Sequence, residues 1–419
     1  MHDDNLQSRR WYQALGPGLI TACVVIGPGS ILTSSKVGAG QGYGMSWVVL
    51  LSIIFMVTYL TLGARLGVVA KESTGKLVAD RAGRWLAALI GISVFFISAA
   101  FQFGNNLGVD TAFNTYIEFD YIIVVFNALA IAFLLFFKNL YKALERLMVV
   151  FVGVMLLAFA ANLFFAKPDL GQWARGFVPG AQAEVSLSVL GLVGTTFVIT
   201  AAYFQTFLVR QKGWDREQLQ EGILDARVGA VLMMVITLMI MGTAAAVLKG
   251  ETLGGVGDVA AQLEPLFGKW GKGLFCLGLF SAAYSSFIVN SMIGGFILSD
   301  GLGLGSNPED KWPKRLTIAV LLTGMIVALL IKQAGFNKLH AIVVAQAVTV
   351  VASPLVAGAL LWLSNRKDVM GEDRNGPVAN TFGSLGLAML IAIAGYTAFK
   401  SIPDNIGKIR ASQTVPAER

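Results

Sequence analysis

Apolar runs of about twenty residues recur along the whole chain, and that pattern leaves few folds open to it. We count eleven, at roughly 14–40, 45–70, 85–109, 121–138, 143–166, 185–210, 227–249, 270–299, 314–333, 338–365 and 379–400. As helices rising about 1.5 Å per residue, such runs match a hydrocarbon layer of about 30 Å. Only 14% of the 419 residues are charged, against about 25% in soluble domains. A chain of this size cannot coat soluble domains with so few charges. The sequence therefore predicts an all-α membrane protein with about eleven transmembrane helices, whose apolar outside faces the lipid bilayer.

The net charge of +7 does not call for a nucleic-acid partner, because basic residues of membrane proteins gather on cytoplasmic loops. With the N-terminus inside, the inner segments hold Arg9, Arg10, Lys76, Arg81, Arg84, Lys142, Arg146, Arg210, Lys212, Arg216, Lys311, Lys314, Arg315 and Arg366, among others. The outer loop 110–120 carries Asp110, Glu118 and Asp120 and no basic residue. The expectation is a cytoplasmic tail 1–10, one transmembrane domain over 11–400 and an external tail 401–419, in a bacterial plasma (inner) membrane, read as monomeric. The tails and the loop 301–313 read as flexible connectors, and MHDDNLQSRR is not read as a cleavable signal.

Cys23 and Cys276 lie within apolar runs and read as buried thiols. His2 and His340 are too far apart for a zinc or haem site. No nucleophile–base set, metal cluster or nucleotide loop stands out, so neither an enzyme nor a cofactor is expected.

The first run contains Ile26-Gly27-Pro28-Gly29-Ser30 near its centre. Proline removes a backbone donor and the glycines weaken the helix further. A break at that depth frees backbone groups that only protein, water or a ligand can satisfy, which points to a transporter binding site. Ser30, Thr33, Ser34, Ser35 and Lys36 make the segment too polar for packing alone. The sixth run, with Thr195, Thr196, Val198 and Thr200, is polar at its centre but lacks proline. It can unwind, or its threonines can bond back to their own helix.

Several segments together resemble the Nramp family of divalent metal transporters over most of the chain. Gly27-Pro28-Gly29-Ser30, followed by Ile31, Thr33 and Gly38, has the frame of the family's Asp-Pro-Gly-Asn motif. Leu62-Gly63-Ala64-Arg65-Leu66-Gly67-Val68-Val69 is similar to its second-helix ending, and Gly176-Phe177-Val178-Pro179 to the loop before its sixth helix. Ser285-Ser286, and Ala345-Gln346-Ala347-Val348 before Pro354, are similar too. The resemblance implies the leucine-transporter fold: inverted five-helix repeats at about 14–166 and 185–365, plus one extra C-terminal helix at 379–400.

The departures from the family carry the functional expectation. By the resemblance, the metal-binding aspartate falls on Gly27, the asparagine on Ser30 and the methionine ligand on Val198. The following proline and histidine fall on Ile199 and Thr200, and a later histidine on Gln205. Two proton-carrying carboxylates fall on Gln102 and Asn105; Gln346 survives, and Lys36 stands where the family has glutamine. The substrate-binding candidates are therefore Gly27, Gly29, Ser30, Thr33, Lys36, Thr195, Val198, Thr200 and Gln346, and no metal-ligand set is assigned. Gln102, Asn105 and Asn106 form a polar cluster on the third helix, as interhelical glue or as a solute-lining face. Ser281, Tyr284, Ser285, Ser286 and Asn290 read mostly as packing.

A pocket of hydroxyls, amides and carbonyls lacks the anionic or soft ligands that Mn²⁺ and Fe²⁺ normally find. The first expectation is thus a transporter of a small anionic or zwitterionic solute by alternating access. The alternative is a Mg²⁺ or Mn²⁺ transporter without proton coupling; a non-transporting receptor is the third reading.

Overall fold

A computed structural model describes residues 16–70, 72–136, 139–180, 186–254, 256–333 and 338–401. The expected tails at 1–10 and 402–419 lie outside the described residues. The described residues form helices and turns without strands. In chain order the α-helices are α1 (Pro17–Val25), α2 (Pro28–Gln41), α3 (Ser46–Val69), α4 (Thr74–Ala82), α5 (Arg84–Asn114), α6 (Ile122–Phe136), α7 (Leu140–Ala166) and α8 (Leu170–Arg175). There follow α9 (Leu187–Thr196), α10 (Ile199–Lys212), α11 (Leu219–Val247), α12 (Val256–Leu302), α13 (Lys311–Gln333), α14 (Lys338–Asn365), α15 (Lys367–Met370) and α16 (Pro377–Tyr396).

Among the described residues, each of the eleven apolar runs is largely helical. Eight helical stretches among the described residues are long and apolar enough to cross a membrane, and Ile122–Phe136 and Thr349–Asn365 are shorter. Within α12, Gly268 at φ 66° interrupts the helical path ahead of the apolar stretch, a left-handed position that glycine takes without strain. Asp110, expected in an outer loop, instead lies near the end of α5, where its carboxylate pairs with Lys332 at 3.0 Å and accepts from Asn114 at 2.8 Å.

Burial ranks the helices by position. In the most apolar 18-residue window of Ser188–Lys212, 94% is buried, against 28% in that of Lys311–Gln333 and 33% in that of Leu140–Ala166. Helices α9 and α10 therefore occupy the centre, and α7, α13 and α16 turn side chains such as Leu157, Phe164, Ile326 and Ile391 outward. One contiguous set of buried apolar residues runs from Ile20 to Ala394 and ties the helices together.

In such a bundle, small residues let backbones approach. A Cβ on Gly295 of α12 would lie 2.3 Å from the Thr317 backbone nitrogen of α13. One on Gly63 of α3 would lie 2.2 Å from the Ala202 carbonyl oxygen of α10. Two buried carboxylates also serve the architecture. Asp300 on α12 accepts from Gly75 N at 2.7 Å and from the Ser73 hydroxyl, capping α4. Asp225 on α11 accepts from Gly16 N at 2.8 Å and Gly18 N at 2.6 Å, capping α1.

We expect Gly295→Val to lower stability by about 1–3 kcal/mol, because the added methyls force α12 and α13 apart. Gly358→Ala, where a Cβ would meet nothing within 4 Å, should be neutral or gain about 0.5–1 kcal/mol from helix propensity. Thermal unfolding of the two purified variants in one detergent checks the contrast, and equal shifts would contradict the packing argument.

Candidate functional site

The first break occurs where proline chemistry places it. Helix α1 stops at Val25, Ile26 and Gly27 are extended (Gly27 φ −126°, ψ −178°), and α2 starts with Pro28 in its first turn. Proline suits that place because its missing N–H is one that a first turn leaves unpaired anyway. The second break lies in the sixth run. Helix α9 stops at Thr196, Phe197 and Val198 are non-helical (Val198 φ −84°, ψ 89°), and α10 starts at Ile199. No proline marks it; Phe197 packs there against Phe55 and Tyr59 of α3 at ring distances of 6.0 and 5.4 Å.

The two breaks meet through hydroxyls. Ser30 Oγ sits against the carbonyl oxygens of Val25, which ends α1, and of Thr195, in the last turn of α9, the latter at 3.2 Å. Thr33 Oγ1 lies 3.1 Å from Thr195 Oγ1 and donates within its own helix toward Gly29 O at 2.9 Å. Ser30, Thr33 and Thr195 thus form one contact between α2 and α9. The C-terminal ends of α1 and α9 bring partial negative charge here, and the N-terminal ends of α2 and α10 bring partial positive charge.

A second polar layer comes from α5 and α12. Ser286 Oγ donates to Val24 O at 3.1 Å and accepts from Asn105 Nδ2 at 3.3 Å. Asn105 Nδ2 also reaches Gln102 Oε1 at 3.4 Å. A Cβ on Gly27 would stand 3.2 Å from both Asn105 Oδ1 and Ser286 Oγ, so amide and hydroxyl close over the bare glycine. Val24, Val25, Gly27, Gly29, Ser30, Gly104, Asn105 and Ser286 are among the residues lining a cavity of about 20 Å³, room for about one water molecule. Any hydrated ion or polyatomic solute requires this closed site to widen.

The structure brings Gly27, Gly29, Ser30 and Asn105 to the cavity, with Thr33 and Thr195 beside it. Val198 and Thr200 lie buried at the second break without lining that cavity. Thr196 Oγ1, Thr200 Oγ1 and Gln102 Nε2 are buried with no hydrogen-bond partner among the described residues. Asn106 turns away, donating to Gln102 O at 2.8 Å and accepting from Asn127 Nδ2 at 2.7 Å. Lys36 is half-buried on α2 and is not a lining residue of the cavity; the Asp258 carboxylate acts on it electrostatically. Gln346 lies on α14, and its side chain is outside the described residues. Ser286, taken from sequence as packing, is a lining residue; its neighbour Asn290 does pack, donating to Ser98 O at 3.2 Å. Sequence reasoning missed Thr21, which donates to Gln205 Oε1 at 3.1 Å beneath the first break. Among the described residues no three His, Cys, Asp or Glu side chains gather in a metal-holding group.

The sequence profile of the natural resistance-associated macrophage protein-like family matches residues 18–400. The divalent metal cation transporter MntH of Deinococcus radiodurans is 26% identical over 400 residues, covering 93% of this chain and 90% of that one. MntH of Staphylococcus saprophyticus is 25% identical, covering 88% and 87%. Among solved structures, the Eremococcus coleocola manganese transporter superposes with a TM-score of 0.79 at 18% identity, over 94% of this chain and 87% of that one. MhsT, solved in complex with L-phenylalanine, superposes with a TM-score of 0.58 at 14% identity over 92% of this chain and 98% of that one. The superpositions show a fold of the leucine-transporter kind, and the profile match settles the family: this chain is an Nramp-family membrane transporter.

Proposed function

We propose that the chain carries a hard divalent cation, Mg²⁺ or Mn²⁺, across the membrane by alternating access, with part of the ion's water shell kept and no proton relay along α5. One observation carries the reading. The freed carbonyl ends of α1 and α9 converge on Ser30, with Thr33, Thr195, Asn105 and Ser286 around them. That donor set is all oxygen and uncharged. It suits an ion that dehydrates reluctantly and tolerates carbonyl, hydroxyl and water ligands, and it offers nothing soft to hold Fe²⁺. The relatives named divalent metal cation transporters support the ion class, so this reading displaces the anionic solute expected first. The positive-inside pattern puts the Gly16 end of α1 on the cytoplasmic side, and the two breaks are the corresponding elements of two inverted five-helix repeats. Gln102 and Asn105 do not titrate, so no proton passes along them.

A small anionic or zwitterionic solute is the second reading, favoured by Lys36. Lys36 lies eight residues beyond Pro28, about 12 Å along the helix axis. At an effective dielectric of about 20, a unit charge at that distance contributes about 1.4 kcal/mol, a factor of ten in occupancy.

In proteoliposomes we expect saturable Mg²⁺ uptake, weaker Mn²⁺ uptake and no Fe²⁺ uptake. Ser30→Ala should weaken apparent Mg²⁺ affinity by about 5–30-fold, as expected for one lost polar ligand of about 1–2 kcal/mol. Micromolar Mn²⁺ binding in a calorimeter that vanishes on Ser30→Ala would make the site a genuine transition-metal site and overturn the hydrated-ion reading.

A pH dye sealed in the same vesicles should report no acidification in step with uptake. Stoichiometric acidification lost on Gln102→Leu or Asn105→Leu would contradict the uncoupled mechanism.

For Lys36→Gln we expect divalent uptake to rise by up to about a hundredfold, because the repulsion on a doubly charged ion is twice that on a unit charge, about 2.8 kcal/mol. Anion or amino-acid uptake by the wild type that falls in Lys36→Gln, with no cation flux in either protein, would establish the second reading instead.

A further inference from the structure

Asp225 holds the only buried carboxylate that touches the broken first helix among the described residues. Its two oxygens accept from Gly16 N and Gly18 N, at 2.8 and 2.6 Å. Gly16 and Gly18 lie at the N-terminal end of α1, where N–H groups have no partner within the helix and favour negative charge. The fit leaves no slack, since a Cβ on Gly18 would lie 2.1 Å from the Asp225 carbonyl oxygen and one on Gly229 would lie 2.4 Å from Gly18 O. Helix α1 is therefore pinned to α11 at one end, and through Ser286 and Ser30 at its other end.

The charges around Asp225 do not neutralise it. Among the described residues, the charged and titratable groups that face it are Lys212 on α10 and Glu145 and Tyr141 on α7. Lys212 is already ion-paired with Glu145, so its charge is shared between two carboxylates. Gln205 of α10 is neutral, and its side-chain amide favours the ionised Asp225. A carboxylate this deeply buried is held as an anion by two backbone donors, that amide and a shared counter-charge.

A cavity approaches this group on the Tyr141 side. A cavity of about 400 Å³ is lined by Asn139, Tyr141, Arg210, Gln211 and Asn307, among others. Tyr141 is 7% exposed, and its hydroxyl has no hydrogen-bond partner among the described residues. That hydroxyl, on a residue that lines the cavity, stands within the field of both Glu145 and Asp225.

We propose that Asp225 is a proton-binding site, reached from this cavity past Tyr141, that unlatches the N-terminal end of α1. The ionised carboxylate clamps Gly16 and Gly18. A proton arriving on a carboxylate oxygen removes the negative charge and one acceptor, so α1 is freed and the site opens at its Gly16 end. The proton binds and leaves on the same side, so it regulates opening and is not carried with the cargo. The sign follows from the chemistry: the latch holds above the carboxylate's titration and loosens as pH falls through it. The proposal requires the broken helix but no particular cargo.

Cys23 on α1 supplies the readout. It is fully buried, its sulfur 3.8 Å from Met148 O on α7, and it is one of two cysteines in the chain. In a Cys276→Ala background in lipid nanodiscs, maleimide labelling of Cys23 reports departure of α1 from α7. Comparing Asp225→Asn with Asp225 at each pH cancels the pH dependence of thiol reactivity. At pH 8 we expect the Asn form to label about tenfold faster, the factor set by one charge-assisted hydrogen bond. At pH 5.5 the two should differ by less than about twofold. Equal rates at both pH values, or the same ratio at both, would overturn the proposal. Should Asp225→Asn fail to fold, hydrogen exchange of the wild-type segment 16–21, corrected for the intrinsic rate, decides the matter. Protection should fall about tenfold between pH 8 and pH 5.5, and constant protection would overturn the latch. Neither readout uses a transported substrate, so failure of the cation reading leaves this test standing.

Discussion

A backbone that leaves the helix inside an apolar bundle must have its freed N–H and C=O groups satisfied there. The centre of this molecule is organised around that requirement. Two helices stop and restart at matching depth, and each exposes two ends of opposite partial charge. The Ser30 hydroxyl between Val25 O and Thr195 O, and the Ser286 hydroxyl on Val24 O, meet part of the demand in the closed state. The same carbonyls are the strongest ligands the site would offer a cation, so under the proposed function the groups that hold the site shut compete with the cargo.

Charge in this protein is kept away from that centre. Asp225 and Asp300 are buried, yet both sit at helix N-termini, where two donors each make burial tolerable. Asp110 is paired with Lys332 at the far end of α5. At the breaks stand glycine, hydroxyls and amides. A neutral site lowers the cost of closing in a dry interior, because an empty pocket leaves no unpaired charge behind. It also gives up the Coulombic attraction that would strip water from a transition metal, which is the physical basis for expecting an ion that keeps its shell.

Particular elements show how far the sequence reaches. The eleven apolar runs were legible because lipid and buried protein impose the same requirement of length and hydropathy. The first break was legible because proline and glycine act locally. The second was legible only as one of two readings, since Phe197 and Val198 carry no proline or glycine signal; the structure shows Phe197 packed against α3 where the helix stops. Ser286 reads mostly as packing for want of a local signal, until α5 and α12 close over Gly27. Lys36 kept its place on α2 but at a distance from the cavity, which weakens its influence on what enters.

The sequence by itself determined the class of protein, the family likeness and the place of the first break, because each depends on composition or on residues adjacent in the chain. Only the tertiary structure decided which polar groups meet. Ser30 and Thr195 stand 165 positions apart, and Gly16 and Asp225 stand 209 apart. Helix periodicity fixes which face a residue occupies, but not which distant face it meets or at what height. That pairing is set by where small residues allow backbones to touch, as Gly63 does against α10 and Gly295 against α13. A sum over many such contacts has no local signature, so the site took shape only when the helices were packed.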